Sequence, residues 1–91
     1  EYPMPIYDGD IESAGFPENA LKLKEIFMEH QGLIITSPEY NSSISGVLKN
    51  AIDWISRSAS KTEGSLACFQ NKVALISSAS PGALGGLRGL V

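Results

Sequence analysis

Two short polar segments carry residue types that could hold a flat ligand with polar edges. The first is TSPEYN at residues 36–41, and the second is SASPGALGG at residues 78–86; each follows an apolar run. In the first segment, Pro38 fixes the backbone, Tyr40 offers a flat apolar face with a polar tip, and Asn41 can donate and accept hydrogen bonds. These residue types suit a planar aromatic cofactor.

Glu39 is the exception in the first segment, because a carboxylate beside a ring that becomes anionic on reduction would oppose that reduction. We therefore expect its backbone to contact such a ring and its side chain to turn toward solvent or a partner chain. In the second segment, Ser80 supplies a small hydroxyl, while Gly82, Gly85 and Gly86 let a ligand approach the main chain closely. The glycine spacing matches neither the dinucleotide fingerprint nor a P-loop.

The elements around these segments follow an α/β order. Apolar residues at helical spacing predict helices over residues 16–30 and 46–57, and another helix begins in residues 87–91. Short continuous apolar runs predict strands over residues 33–37 and 72–78, buried on both faces as in parallel sheets. Residues 1–16, rich in Pro, Gly and Asp, are predicted to form a loop.

Strands joined through a helix lie parallel, so both polar segments should leave the carboxyl ends of neighbouring strands. In open α/β sheets, ligands bind at that edge. Two strands are too few for an independently stable sheet, and we expect the chain to be the middle of a domain.

Residues 37–57, SPEYNSSISGVLKNAIDWISR, resemble the signature of the NADPH-dependent FMN reductase family, and SPGALGG at residues 80–86 is similar to that family's S-x-G-x-x-G-G loop. The resemblance implies a flavodoxin-like α/β fold, a three-layer sandwich with a parallel sheet. Residues 1–91 are expected to form only the central part of this FMN-binding domain. The first strand with its phosphate loop, a Gly-Ser-Arg-Ser-rich turn, and the C-terminal elements are not among them.

The resemblance also implies a site and an activity. The family's isoalloxazine contacts fall on one group in the first loop and another in the second: Pro38, Glu39, Tyr40 and Asn41, then Ser80, Gly82 and Gly85. Such enzymes transfer a hydride from NADPH or NADH to FMN and pass electrons to quinones, azo dyes, metal oxyanions or free flavins. Because the flavin supplies the chemistry, no catalytic side chain is expected. Family members are commonly homodimers or homotetramers.

Two other functions remain open on the sequence. One is a flavin-binding electron-transfer protein that does not use NAD(P)H, and the other is an inactive fragment of a flavoprotein. The net charge is −3, and the seven basic residues are dispersed, which argues against nucleic acid and anionic membranes as partners.

Other composition features narrow the setting of the protein. One cysteine, Cys68, excludes a disulfide within the chain, and with one histidine it makes a poor metal site, so no metal is expected. The N-terminal residues show no signal-peptide pattern, and no apolar run approaches the roughly 18 residues that span a bilayer. We therefore expect a cytoplasmic protein.

Several side chains are predicted to have structural roles. In the second helix, the apolar stripe formed by Val47, Leu48, Ile52 and Ile55 should pack in the core. Trp54 lies at the edge of that stripe, where either core packing or an oligomer interface is possible. Ser45 should cap the helix, and Lys49 and Asp53 should form a solvated i, i+4 pair.

Overall fold

The computed structural model describes residues 1–91. Its elements are α1 (Gly9–Ala14), α2 (Glu18–Glu29), β1 (Gly32–Pro38), α3 (Gly46–Ile55), a single 3₁₀ turn (Ala67–Phe69), β2 (Val73–Ala79) and α4 (Leu87–Leu90). The predicted helices at residues 16–30, 46–57 and 87–91 and both predicted strands are confirmed, with ends that shift by one to two residues. None of the helices has the length and apolarity needed to cross a membrane.

The prediction of a continuous loop over residues 1–16 is wrong, because α1 forms within it. Asp8 caps this helix: its carboxylate accepts a hydrogen bond of 2.8 Å from the Asp10 amide. Asp10 and Glu12 place negative charge in the first turn, where the helix dipole favours it. The cap and acidic turn therefore outweigh the local excess of Pro and Gly.

β1 and β2 form a two-stranded parallel sheet with an unbroken register from Gly32 opposite Val73 to Pro38 opposite Ala79. The carboxyl ends of the strands therefore lie side by side, which confirms that both polar segments leave the same edge. The predicted burial of both faces is wrong within residues 1–91. Exposed fractions of Ile34 and Leu75 are 76% and 61%, because too few elements of this chain cover the sheet.

The core lies where α2 and α3 pack together, and the N-terminal segment, residues 1–8, covers it. Trp54 is fully buried, and its ring makes edge contacts with Tyr7 and Phe16 at centroid distances of 4.9 and 5.4 Å. Its indole Nε1 donates a 2.7 Å hydrogen bond to the carbonyl of Pro5. Of the two alternatives for Trp54, core packing is therefore confirmed, and an oligomer interface is excluded because the N-terminal segment covers the side chain.

Lys24 of α2 ties the end of α3 to the connection that follows it. Its side chain is 6% exposed, and Nζ donates hydrogen bonds to the carbonyls of Ile55 and Arg57 at 3.2 and 2.6 Å. The same ammonium pairs with the Glu63 carboxylate at 2.5 Å. A cation at a helix C-terminus satisfies carbonyls that have no partner within the helix.

Some of the remaining predictions for α3 are confirmed and one is wrong. Ser45 caps the helix, since its Oγ accepts from the Leu48 amide at 3.2 Å, and Lys49 pairs with Asp53. Ile55 is buried, with an exposed fraction of 2%. Val47 is 84% exposed, so its predicted core position is wrong: it lies in the first turn, beyond the contact between α2 and α3.

Candidate functional site

The first loop leaves β1 at Pro38 and turns back on itself within four residues. The Tyr40 amide donates to the Ser43 carbonyl at 2.9 Å, and the Ser43 amide donates to the Tyr40 carbonyl at 3.0 Å. Between them, Asn41 and Ser42 have φ of 51° and 66°. Two successive left-handed residues define a type I′ turn, in which asparagine is favoured. Asn41 therefore has a turn role whatever else it contacts.

A hydrogen bond between the two ends of the loop fixes it to the regular elements. The Ser37 Oγ accepts a 3.2 Å hydrogen bond from the Ser45 amide, which joins the end of β1 to the start of α3. The turn between them projects outward, and the Tyr40 side chain is 60% exposed. This arrangement places an exposed aromatic ring at the sheet edge.

The second loop follows β2 and is shaped by its glycines. The Ser80 Oγ accepts from the Gly82 amide at 3.3 Å, and the Gly85 amide donates to the Gly82 carbonyl at 2.9 Å. Gly85 has φ of 61°, a left-handed backbone conformation that residues other than glycine rarely adopt. The loop then enters the short helix α4.

The two loops meet through glycines at the start of α4. A Cβ added to Gly86 would lie 2.5 Å from the Ser78 carbonyl carbon, and one added to Gly89 would lie 3.7 Å from the Glu39 Cβ. Gly86 is buried against the protein, so the predicted ligand approach at this glycine is wrong. Because Gly86 and Gly89 have no side chains, α4 can pack closely on the end of β2 and on the first loop.

Between the loops lies a cleft of about 230 Å³. Four of the predicted contact residues line it together: Glu39, Ser80, Gly82 and Gly85. Pro38 lines a neighbouring cleft of about 300 Å³ at the ends of the two strands. Tyr40 and Asn41 line neither cleft, although their turn is the next part of the same loop. The structure thus brings both segments to one place without assigning what binds there.

Sequence reasoning overlooked two residues at this edge. Arg88 lines the cleft with Glu39, and its Nη1 donates a 3.1 Å hydrogen bond to the Ser42 Oγ. The position of Arg88 in the sequence could have indicated its role, because it lies two residues past the Gly-Gly pair that ends the second loop, in the first turn of a predicted helix. Ser42 gave no signal, because its role depends on the fold.

The Ser78 hydroxyl is a further polar atom at this edge. Its Oγ is buried, has no hydrogen-bond partner and lies under Gly86 and Gly89, and the residue lines the cleft at the ends of the two strands. Buried polar atoms normally find partners, and this hydroxyl is left unpaired where α4 packs closely on the end of β2.

Chemically distinctive groups outside the loops have structural explanations. Hydrogen bonds from Arg57 and Tyr7 hold the pKa of Glu12 below its usual value, and they join the N-terminal segment to the end of α3. Burial raises the pKa of the Cys68 thiol, which is fully enclosed, as expected of an inert cysteine. No cluster of three His, Cys, Asp or Glu side chains could hold a metal.

A larger groove of about 1140 Å³ lies between the N-terminal segment and α3. Its lining includes Tyr2, Ile6, Val47 and Asn50, and none of the predicted contact residues. The Asn50 amide is already used, since it donates to the Pro5 carbonyl and accepts from the Tyr7 amide. We therefore regard the smaller cleft at the sheet edge as the candidate functional site, because the loops converge there.

Comparison with known proteins identifies the family of the chain. The family described as NADPH-dependent FMN reductase matches residues 1–90. A quinone reductase of Escherichia coli is 40% identical over 86 residues, and an NAD(P)H-dependent FMN reductase of Pseudomonas aeruginosa is 39% identical over 85 residues. Each alignment covers 93% of this chain and 43% of the relative. A 2-hydroxy-1,4-benzoquinone reductase of Burkholderia is 50% identical over 54 residues, which are 59% of this chain and 29% of that protein.

The chain thus spans less than half the length of these relatives, and its mixed α/β structure with a parallel sheet is consistent with part of a flavodoxin-like fold. The family match extends from the N-terminal segment through both loops to α4. On these grounds the chain belongs to the NADPH-dependent FMN reductase family.

Proposed function

We propose that the protein containing residues 1–91 is an FMN-dependent NAD(P)H oxidoreductase that passes electrons to a small-molecule acceptor. The observation that carries the proposal is the meeting of the PEYN and SPGALGG loops around one cleft at the carboxyl ends of paired parallel strands. In sheets of this kind that edge binds ligands, and the family match covers both loops.

Within the range of acceptors, we favour a quinone. Relatives from Escherichia coli and Burkholderia are named as a quinone reductase and a 2-hydroxy-1,4-benzoquinone reductase. Azo dyes, metal oxyanions and free flavins remain further acceptors to test. Dispersed basic residues and a net charge of −3 favour such a small molecule over nucleic acid or an anionic membrane.

The residues at the edge fit the ring portion of FMN. We propose that Pro38, Glu39, Tyr40 and Asn41 contact one part of the isoalloxazine and that Ser80, Gly82 and Gly85 contact another. Loop amides and hydroxyls suit the polar edge of the ring, and the exposed Tyr40 ring suits its flat surface. FMN held there would supply the hydride and electron transfer, and these residues would orient its ring.

The phosphate of FMN needs donors that residues 1–16 do not supply. A phosphate dianion is usually held by loop amides, hydroxyls or a helix N-terminus. Asp8 and Asp10 instead occupy the start of α1. We therefore propose that residues 1–91 form the central part of a longer FMN-binding domain, in which the first strand and its loop bind the phosphate.

We also propose a homodimer or homotetramer located in the cytoplasm. Val47 and Ile6 are both 84% exposed, an apolar surface that a second subunit could cover. The single thiol without a disulfide partner suits a reducing compartment. Light scattering after size-exclusion chromatography tests the first statement: a mass of two or four chains supports it, and a monomer contradicts it.

The proposed activity is tested by recording the absorption spectrum of the purified protein and then adding NADPH or NADH without oxygen. We expect a flavin spectrum, retained or restored by added FMN, that bleaches within seconds. A flavin spectrum that does not change with either nucleotide would show an electron-transfer protein instead. A protein that binds no FMN would contradict both functions and indicate an inactive chain.

A further inference from the structure

The hydrogen bond between Arg88 and Ser42 connects the two loops. It spans 46 positions in sequence, with 3.1 Å between Nη1 and Oγ. Outside the ladder of β1 and β2, no other hydrogen bond joins residues 39–45 to residues 80–90. Arg88 is also the one cation that lines the cleft between the loops. A single side chain therefore both faces the cleft and is hydrogen-bonded to the turn of the first loop.

Ser42 is a residue that needs support from its surroundings. It has φ of 66°, a left-handed conformation that serine rarely adopts, whereas its neighbour Asn41, with φ of 51°, is of a type that tolerates this conformation. Such backbone persists where surrounding contacts fix it. The paired amides of Tyr40 and Ser43 supply two contacts, and Arg88 supplies the contact to the Ser42 side chain.

We propose that Arg88 is a positioning residue for the cofactor: by holding Ser42 it keeps the turn of residues 40–43 in the conformation that presents Tyr40 to the flavin ring. This inference rests on the proposed function. A loop that is ordered before binding loses less conformational freedom when the ligand arrives, so the hydrogen bond increases affinity without Arg88 having to touch the ring.

The alternative is that Arg88 acts only through its charge, by attracting an anionic ligand into a cleft that also contains Glu39. The two explanations differ in the role of Ser42. Positioning requires the serine hydroxyl, whereas attraction by charge does not. Replacing each partner separately and both together therefore distinguishes them.

The test compares Arg88→Ala, Ser42→Ala, the double variant and Arg88→Lys by hydrogen exchange of the Tyr40 and Ser43 amides, first in cofactor-free protein. We expect each alanine variant to exchange about three- to tenfold faster, the range for losing one hydrogen bond. The double variant should be no faster than either single one. Arg88→Lys keeps a donor and should restore most of the protection, and Lys61→Ala, an exposed charge outside both loops, should match the unchanged protein.

A fluorescence titration with FMN then completes the test, and the dissociation constants should follow the same order, with increases of about three- to tenfold. Normal exchange and normal affinity in Ser42→Ala, or additive effects of the two alanine variants, would overturn the positioning role. If no variant, including the unchanged protein, binds FMN, the proposed function fails and the positioning role fails with it. If FMN binds tightly and the Arg88→Ala substitution does not change its dissociation constant, only the positioning role is overturned.

Discussion

Gly86 rests directly on Ser78, so that a single carbon added at Gly86 would lie 2.5 Å from the serine carbonyl carbon. This contact fixes the start of α4 on the end of β2, and α4 in turn reaches the first loop through Gly89. The candidate site is therefore built by close backbone packing as much as by polar side chains. Its geometry should be sensitive to very small substitutions in the second loop.

Gly86→Ala should lower the free energy of unfolding by about 1 to 3 kcal/mol, the usual effect of forcing extra volume into a packed position. Gly64→Ala is the matched control, since nothing lies within 4 Å of a Cβ added there. Urea unfolding followed by circular dichroism measures both. Equal midpoints for the two variants would show that α4 can move off β2 freely.

Lys24→Met should destabilise the fold by about 2 to 4 kcal/mol, because it leaves the Glu63 carboxylate and two carbonyls without their buried partner. Lys22→Met on the same helix is the control. Lys22 pairs with Glu18, but both side chains are largely exposed, at 53% and 81%, so we expect a change below about 0.5 kcal/mol. Thermal unfolding of the pair tests this, and similar melting temperatures would contradict it.

The elements that position the site could be predicted from sequence because their signals are local. Continuous apolar runs before Pro38 and Ser80 predicted strands, and Ser45 followed by an apolar stripe predicted the start of α3. The order of residues 1–8, which precede α1, could not be predicted, because it comes from contacts with residues distant in sequence. Pro5 accepts a hydrogen bond from Trp54, and Tyr7 packs on the same ring.

The candidate site divides in the same way. Glu39 and Ser80 were placed at one edge by parallel topology alone, before the family resemblance was considered. The link between Arg88 and Ser42 could not be predicted, since it joins residues 46 positions apart through one hydrogen bond. The prediction that both faces of the strands are buried was wrong, because an apolar run indicates that a strand favours burial but does not show which elements of the chain cover it.

Stability should fall in acid partly through Glu12. Hydrogen bonds from Arg57 and Tyr7 lower the pKa of its carboxyl below the usual 4.5, so the ionised form is favoured in the folded state. That stabilisation is present above about pH 4.5 and is lost as the pH falls through the lowered pKa. Glu12→Gln should therefore be less stable than the unchanged protein at pH 7, and the difference should shrink at pH 3. Melting temperatures at both pH values test this, and a constant difference would contradict it.

Tyr40→Ala should weaken FMN binding by about 1 to 2 kcal/mol through the loss of aromatic contact, with little change in stability because the side chain is exposed. Tyr40→Phe keeps the ring and should bind within about twofold of the unchanged protein. Titration by flavin fluorescence measures all three affinities. An unchanged affinity in Tyr40→Ala would remove this residue from the proposed site.

The central claim is that both loops hold one flavin. Hydrogen exchange with and without saturating FMN tests it most directly, because each amide reports its own protection. We predict slower exchange on FMN addition in residues 39–43 and in residues 82–86, with no change in the connection at residues 58–66. Slowed exchange only in the groove between the N-terminal segment and α3, or no slowing in either loop, would contradict the account.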